Sequence, residues 1–191
     1  MKTLSGELKV SETENAKRTD AIKHIVVSDC GRYFATSDTN NSVCLFKKER
    51  YMGGEDNPIE WGFSGKIKSH TDSITGIAFG EEEDENDKLC TRLFSVGLDR
   101  RCFEYNVQDA KRIESLPIKH WFPIENESCP TACIWYPKGS SITTRAGTKG
   151  KQDPQEDLLL TVNEDYKMKL WNPKTSNSRR TCLGPTYGGE I

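Results

Sequence analysis

Long apolar runs, closely spaced cysteine pairs and an excess of either charge are all missing from this 191-residue chain. No stretch is apolar over the roughly 20 residues that a membrane helix needs, and residues 1–20 lack the apolar centre of a signal peptide. The 27 basic and 29 acidic residues give a formal charge of −2, so no overall field attracts nucleic acid or anionic lipid. These absences favour a cytoplasmic protein that binds neither nucleic acid nor a membrane.

The seven cysteines and three histidines are not arranged as a metal site. No two cysteines have the CxxC spacing, and the scattered histidines supply no second half of a zinc site. Several cysteines lie inside apolar runs, which is typical of buried, reduced thiols. The sequence therefore predicts no metal and no other cofactor.

Three stretches of the chain repeat the same order of short apolar runs. Each has one run, a second that ends in small and polar residues, a tight turn, and a third that ends in an aromatic residue. These runs are predicted strands, over 22–27, 33–38, 42–46, 73–79, 93–99, 102–106, 131–136, 158–165 and 167–172. A fourth strand is predicted after each set, over 61–67, 113–118 and 180–183. The fold class is therefore all-β, built from three four-stranded antiparallel sheets.

Polar residues of the second stretch resemble the signature of WD repeats. His70 precedes its first strand, Ser95 lies in its second, Asp99 lies in the following turn, and Tyr105 closes its third. In that family the equivalent side chains form a hydrogen-bonded chain that specifies the geometry of a propeller blade. The third stretch keeps three of the four positions, with Thr161, Asp165 and Trp171.

His70, Ser95 and Asp99 can also be taken for the base, nucleophile and orienting carboxylate of a hydrolase. Their spacing matches the structural set of a WD repeat instead, and no phosphate-binding glycine loop or metal set occurs elsewhere in the sequence. We therefore expect no catalysis, and an enzyme is the less favoured alternative.

The resemblance implies a β-propeller, whose ring closes with typically 4–8 blades. The predicted blades are residues 21–68, 69–118 and 119–191, with a long loop over 137–157, and residues 1–20 can hold the outer strand of a preceding blade. Three blades cannot close a ring, so further blades are needed from the same polypeptide or from other chains. Expressed alone, the chain is expected to aggregate or to fold poorly.

Two faces of such a propeller are candidates for binding other proteins. Insertions over 47–60, 80–88 and 137–157 are expected on one face, where the acidic and basic candidates are Glu81, Glu82, Glu83, Lys149 and Lys151. The alternative for each insertion is a solvated loop without a partner.

The opposite face is expected to carry exposed arginine and aromatic residues, which are types that anchor interfaces. These candidates are Arg100, Arg101, Trp121, Phe122 and Tyr166. The alternative position for Trp121 and Phe122 is inside, packed beneath the adjacent blade.

One group of WD-repeat proteins is similar to particular segments of the chain. Residues 135–137, 167–171 and 183–188, together with 96–100, resemble the WD-repeat subunit of the calmodulin- and spoke-associated complex of motile cilia. The resemblance implies a structural scaffold in the axoneme, near the base of the third radial spoke, with spoke subunits and the doublet microtubule as partners. The alternative with the same fold is a general cytosolic adaptor in signalling or ubiquitin ligation.

Overall fold

The computed structural model describes residues 20–50, 59–83, 89–110, 115–124, 127–138 and 156–183. Sheet 1 contains β1 (Ile22–Val27), β2 (Tyr33–Asp38), β3 (Ser42–Arg50) and β4 (Ile59–Lys68). Sheet 2 contains β5 (Ile74–Glu83), β6 (Leu89–Gly97), β7 (Arg101–Tyr105) and β8 (Ile118–Pro123). Sheet 3 contains β9 (Pro130–Tyr136), β10 (Leu158–Asn163), β11 (Lys167–Asn172) and β12 (Asn177–Leu183). The prediction of an all-β chain with three four-stranded sheets is confirmed.

Each sheet is a simple antiparallel meander in which sequential strands are neighbours. The turn between the second and third strands places a left-handed residue at the same point of every sheet, with φ of 60° at Asn41, 60° at Arg100 and 59° at Tyr166. The sheets lie side by side, because β5 contacts β1 and β2 on one flank and β9 on the other. No helix in the described part of the chain has the length and hydropathy for crossing a membrane.

Two apolar layers hold the three sheets together. Between sheets 1 and 2, Leu45, Leu93 and Tyr105 are each at most 1% exposed. Between sheets 2 and 3, Phe94 and Leu159 are fully buried and Trp171 is 7% exposed. Alternate residues of the central strands thus face the sheets on opposite sides. Burial of each large apolar side chain contributes roughly 1.5–3 kcal/mol to the free energy of unfolding.

The outer strand of sheet 2 was predicted in the wrong place. The fourth strand of sheet 2 is β8, which begins at Ile118, where the expected strand over 113–118 ends, and contains the segment that was expected to connect two blades. Sheet 2 therefore continues past the predicted boundary at residue 118. Pro117 precedes β8 and Pro123 ends it, and proline is usually confined to edge strands and strand ends, so the sequence pattern did not indicate a strand here.

Two of the expected insertions are shorter than predicted because their flanking strands are longer. β3 continues to Arg50, and β5 continues through the acidic residues to Glu83. Only 51–58 and 84–88 then separate the paired strands, and both segments lie outside the described residues, as do 1–19 and 139–155.

Candidate functional site

A continuous hydrogen-bonded chain of side chains runs through sheet 2. His70 Nδ1 lies 2.9 Å from Asp99 Oδ1, and His70 Nε2 lies 2.7 Å from Ser95 Oγ. Ser95 Oγ is 2.7 Å from the Tyr105 hydroxyl, which is 2.5 Å from Ser69 Oγ. The structure brings together the four residues selected from the sequence and adds Ser69, which the repeat pattern did not indicate.

The carboxylate fixes the direction of one hydrogen bond: it only accepts, so His70 donates from Nδ1 to Asp99. Ser95 Oγ lies between His70 Nε2 and the Tyr105 hydroxyl, which lies between Ser95 Oγ and Ser69 Oγ. Because His70, Ser95 and Tyr105 are each at most 1% exposed, these hydrogen bonds replace those lost from water.

Asp99 is fixed by backbone groups as well as by the imidazole. Its carboxylate accepts from the N–H groups of Thr71 at 3.1 Å and Arg101 at 3.2 Å. Burial raises the pKa of Asp99, but the interactions with His70 and these two N–H groups more than offset that effect and hold the pKa below its ordinary value. A Cβ atom on Gly97 would lie 2.7 Å from His70 Nδ1, so only glycine fits beside the ring.

Acid is expected to weaken the fold through Asp99. The pKa of Asp99 is lower in the folded chain than in the unfolded chain. Its contribution to the free energy of unfolding is therefore complete above the unfolded pKa, about 4, and is lost as the pH falls through the folded pKa. The free energy of unfolding, measured by urea titration from neutral pH downward, should decrease below about pH 4. Asp99→Asn should reduce this decrease, and an undiminished decrease in that variant would show that other carboxylates cause it.

Sheet 3 contains a shorter version of the same polar chain. Trp171 Nε1 donates to Thr161 Oγ1 at 3.0 Å. Asp165 instead pairs with Lys167, whose Nζ lies 2.6 Å from Oδ2 and whose hydrogen bond lowers the pKa of Asp165. Glu127, which lies at about the histidine position of the third stretch, is exposed.

A buried charged cluster in sheet 2 is absent from the sequence predictions. Arg92, on β6, binds Glu104 of β7 through Nε at 2.9 Å and Nη2 at 2.7 Å, and binds Glu82 of β5 through Nη1 at 3.0 Å. Arg92 is 5% exposed and Glu104 is 2% exposed. Burial raises the pKa of Glu104, but Arg92 and Lys119 more than offset it, so the pKa lies below its ordinary value. Glu104 lies inside the predicted strand over 102–106, and Arg92 lies directly before the predicted strand over 93–99, so the sequence did not indicate that the two pair.

This cluster also joins sheet 2 to sheet 3. The Arg92 guanidinium carbon lies 5.0 Å from the ring centroid of Phe94 and 5.5 Å from that of Trp135, which belongs to β9. Glu82 forms a second ion pair with Lys174, in the turn between β11 and β12. The two sheets are therefore connected by charge and by ring stacking at this end of β5.

The three glutamates predicted as an interface already have partners within the chain. Glu81 accepts from the backbone N–H of Cys30 at 3.1 Å, and Glu82 has the two partners described above. Glu83 pairs with Lys138 at 2.8 Å across to sheet 3. The acidic segment 81–83 and the basic residue Lys138 thus meet on one face. The predicted basic candidates Lys149 and Lys151 lie outside the described residues.

The aromatic and arginine candidates of the opposite face are divided between surface and core. Trp121 is 49% exposed, and the Arg101 guanidinium lies 5.0 Å from its ring centroid. Tyr166 is 74% exposed, and Arg100 is exposed at the equivalent turn of sheet 2. Phe122 is 2% exposed and packs 5.8 Å from Trp171, so it is not part of this surface.

Two of the cysteines, Cys102 and Cys133, have the character of small apolar side chains. All seven are free thiols. Burial raises the pKa of Cys102 well above its ordinary value and that of Cys133 to about 12, so both stay protonated near neutral pH.

The comparisons with known proteins return one kind of relative. No protein-family model matches the chain. It is 39% identical to cilia- and flagella-associated protein 251 of Tetrahymena thermophila, over 96% of this chain and 19% of that protein. The proteins of the same name from Mus musculus and Chlamydomonas reinhardtii are each 31% identical, over 90% and 86% of this chain and over 12% and 18% of their own lengths. The chain thus spans less than a fifth of the curated relatives it matches.

Proposed function

The chain is homologous to a segment of cilia- and flagella-associated protein 251, and from this premise we propose that it is a non-catalytic scaffold of the cilium or flagellum. Its partners on this proposal are other proteins of the motile axoneme, at the base of a radial spoke. The observation that carries the proposal is sequence identity of 31–39% over about 90% of the chain.

The three sheets are proposed to be WD-repeat blades of a β-propeller. Their shared meander order, their side-by-side packing and the left-handed residue in equivalent turns support a repeated unit. The polar chain from Asp99 to Tyr105 gives the second blade its specific geometry, and Thr161 with Trp171 does so in part for the third. Further blades, in the same polypeptide or in other chains, complete the ring.

Burial supports a structural role for the constellation that resembles a hydrolase triad. Ser95 is fully buried, and its oxygen is occupied by His70 and Tyr105. A nucleophile needs an open site about 3 Å from its oxygen for the reacting atom, and a fully buried hydroxyl between two partners has none. His70 accordingly provides a hydrogen-bond partner for two groups, the Ser95 hydroxyl and the Asp99 carboxylate.

Trp121, Arg101 and Tyr166 are proposed to contact the axonemal partner. Aromatic and arginine residues contribute disproportionately to interface energy, and Tyr166 occupies a left-handed position that glycine would adopt more easily.

Extraction of demembranated cilia tests this function. The full-length protein carrying Trp121→Ala and Tyr166→Ala should be released from axonemes at a lower salt concentration than the unsubstituted protein, with its strand content by circular dichroism unchanged. Leu89→Ala is the matched control, because Leu89 is also 49% exposed but lies at the other end of sheet 2. Identical release of all three proteins would remove this surface from the proposal, and a fully soluble unsubstituted protein would favour a cytosolic adaptor.

A further inference from the structure

A polar cavity of about 400 Å³ lies at one end of sheet 2, beside the turn between β11 and β12 of sheet 3. The residues that line it come from all four strands of sheet 2 and from that turn. Three carboxylates are among them, on Glu82, Glu83 and Glu104, and the buried pair of Arg92 with Glu104 forms the most enclosed part of the wall. Both sheets that bound the cavity belong to this chain.

The cations beside these carboxylates are of two kinds. Arg92 is buried, makes three hydrogen bonds to carboxylate oxygens and stacks on two aromatic rings, so it is a fixed part of the wall. Lys119 and Lys174 reach the cavity from the solvent side, and their side chains are 52% and 66% exposed. Most of the positive charge that balances the glutamates is therefore carried by the ends of long, exposed side chains.

The exposed lysines can be exchanged for another cation. An ion pair at the surface contributes little to stability, because the ammonium group is well hydrated in water and loses side-chain freedom in the pair. Glu104 is buried and the Glu82 side chain is only 16% exposed, so these carboxylates cannot turn out to water. An entering cation replaces a lysine and leaves no carboxylate unpaired, whereas an anion that drew the lysines away would leave both carboxylates short of counter-charge.

The chain itself shows which chemistry suits these carboxylates. Basic side chains from four different segments reach the three glutamates: Arg92, Lys119, Lys138 and Lys174. The guanidinium makes the most contacts of the four, with two N–H groups on Glu104 and a third on Glu82. A guanidinium is planar, donates two parallel hydrogen bonds to a carboxylate and is more weakly hydrated than an ammonium group. An entering arginine therefore gains more than the lysine that it replaces.

We propose that this cavity binds an arginine side chain of a partner protein, whose guanidinium takes the place of Lys174 at Glu82. Glu83 adds a second negative charge at the exposed rim of the same site. The cavity lies toward the Leu89 end of sheet 2, away from Trp121 and the contact proposed for it. The inference does not rest on the ciliary role.

Binding of a labelled peptide to the full-length protein tests this site. The probe is a fluorescein-labelled peptide with one arginine between glycines, and its Kd is measured by fluorescence anisotropy. The same peptide with citrulline in place of arginine should bind about tenfold more weakly, because citrulline has the shape of arginine without the charge that strengthens hydrogen bonds to a carboxylate. Glu82→Gln should weaken binding of the arginine peptide by a similar factor.

The exchangeable lysine gives a prediction of the opposite sign. Lys174→Met removes the ammonium group that competes for Glu82, so it should strengthen binding of the arginine peptide several-fold. A site that uses Lys174 to hold an anion would show no such gain. Lys68→Met is the matched control, because it removes the same charge from an exposed lysine of sheet 1 and should leave the Kd unchanged.

A second carboxylate covers the case in which Glu82→Gln loses strand content. Glu83→Gln alters a side chain that is 54% exposed, and it should also weaken binding, whereas Glu60→Gln, at an exposed glutamate of sheet 1, should have no effect. Equal binding of the arginine and citrulline peptides, unchanged binding in the folded glutamate variants, or weaker binding in Lys174→Met would overturn the proposal.

Discussion

Replacing His70 with alanine is expected to cost about 3–5 kcal/mol of the free energy of unfolding, a large part of the stability of an ordinary domain. The loss has two sources. The Asp99 carboxylate and the Ser95 hydroxyl each lose a hydrogen bond in a region where the side chains are at most 4% exposed. The imidazole also packs edge-on at 4.6 Å between its centroid and that of Phe103, so its removal leaves a cavity. Urea unfolding followed by tryptophan fluorescence measures this cost.

His24→Ala is the matched control for His70→Ala. His24 Nδ1 also lies 2.7 Å from a serine oxygen, that of Ser37, but the histidine is only half-buried. Its removal should cost about 1 kcal/mol, because one hydrogen bond is lost and a half-buried ring leaves little enclosed cavity. Equal losses in the two variants would contradict the structural role given to the buried chain of Ser69, His70, Ser95, Asp99 and Tyr105.

Arg92→Met should destabilise the chain by about 3–5 kcal/mol, because it leaves the Glu104 carboxylate buried and short of a counter-charge. Lys119 remains close to Glu104, at 2.9 Å, but it is 52% exposed and replaces neither of the two hydrogen bonds from the guanidinium. The stacking on Phe94 and Trp135 is lost as well. Tryptophan fluorescence should respond strongly, since Trp135 lies against the altered site.

A double variant distinguishes a buried ion pair from simple packing. Arg92→Met combined with Glu104→Met removes both charges, and the free energy of unfolding should return to within about 1 kcal/mol of the unsubstituted value. Lys138→Met breaks an ion pair whose partners are 57% and 54% exposed, and should change stability by less than about 0.5 kcal/mol. If the double variant were as unstable as the sum of its parts, packing rather than charge would account for the cluster.

Strand positions could be predicted from the sequence wherever apolar alternation is intact. The limits of β1, β2 and β11 agree with the runs of apolar residues, since one face of each strand packs on a neighbouring sheet. The acidic end of β5 could not be predicted in this way. Three consecutive glutamates suggest a solvated loop, and what extends the strand is a set of partners on other strands and on sheet 3.

The polar chain of sheet 2 was predictable and the charged cluster was not, for one physical reason. His70, Ser95, Asp99 and Tyr105 occur at the spacing of a known repeat, so local sequence order carries the information. Arg92 and Glu104 form a pair only because of the register of β6 on β7, which places the two side chains on one buried face. The exposure of Trp121 beside the buried Phe122 follows likewise from the pleat of β8, whose existence the sequence did not indicate.

The most direct test of the ciliary scaffold is the distribution of the unsubstituted, full-length protein after cilia are isolated and demembranated. The account predicts that the protein stays with the axoneme and that cross-linking mass spectrometry joins its exposed lysines, such as Lys68 and Lys119, to other axonemal proteins. Recovery of the protein in the detergent-soluble fraction, with cross-links only to soluble complexes, would contradict it.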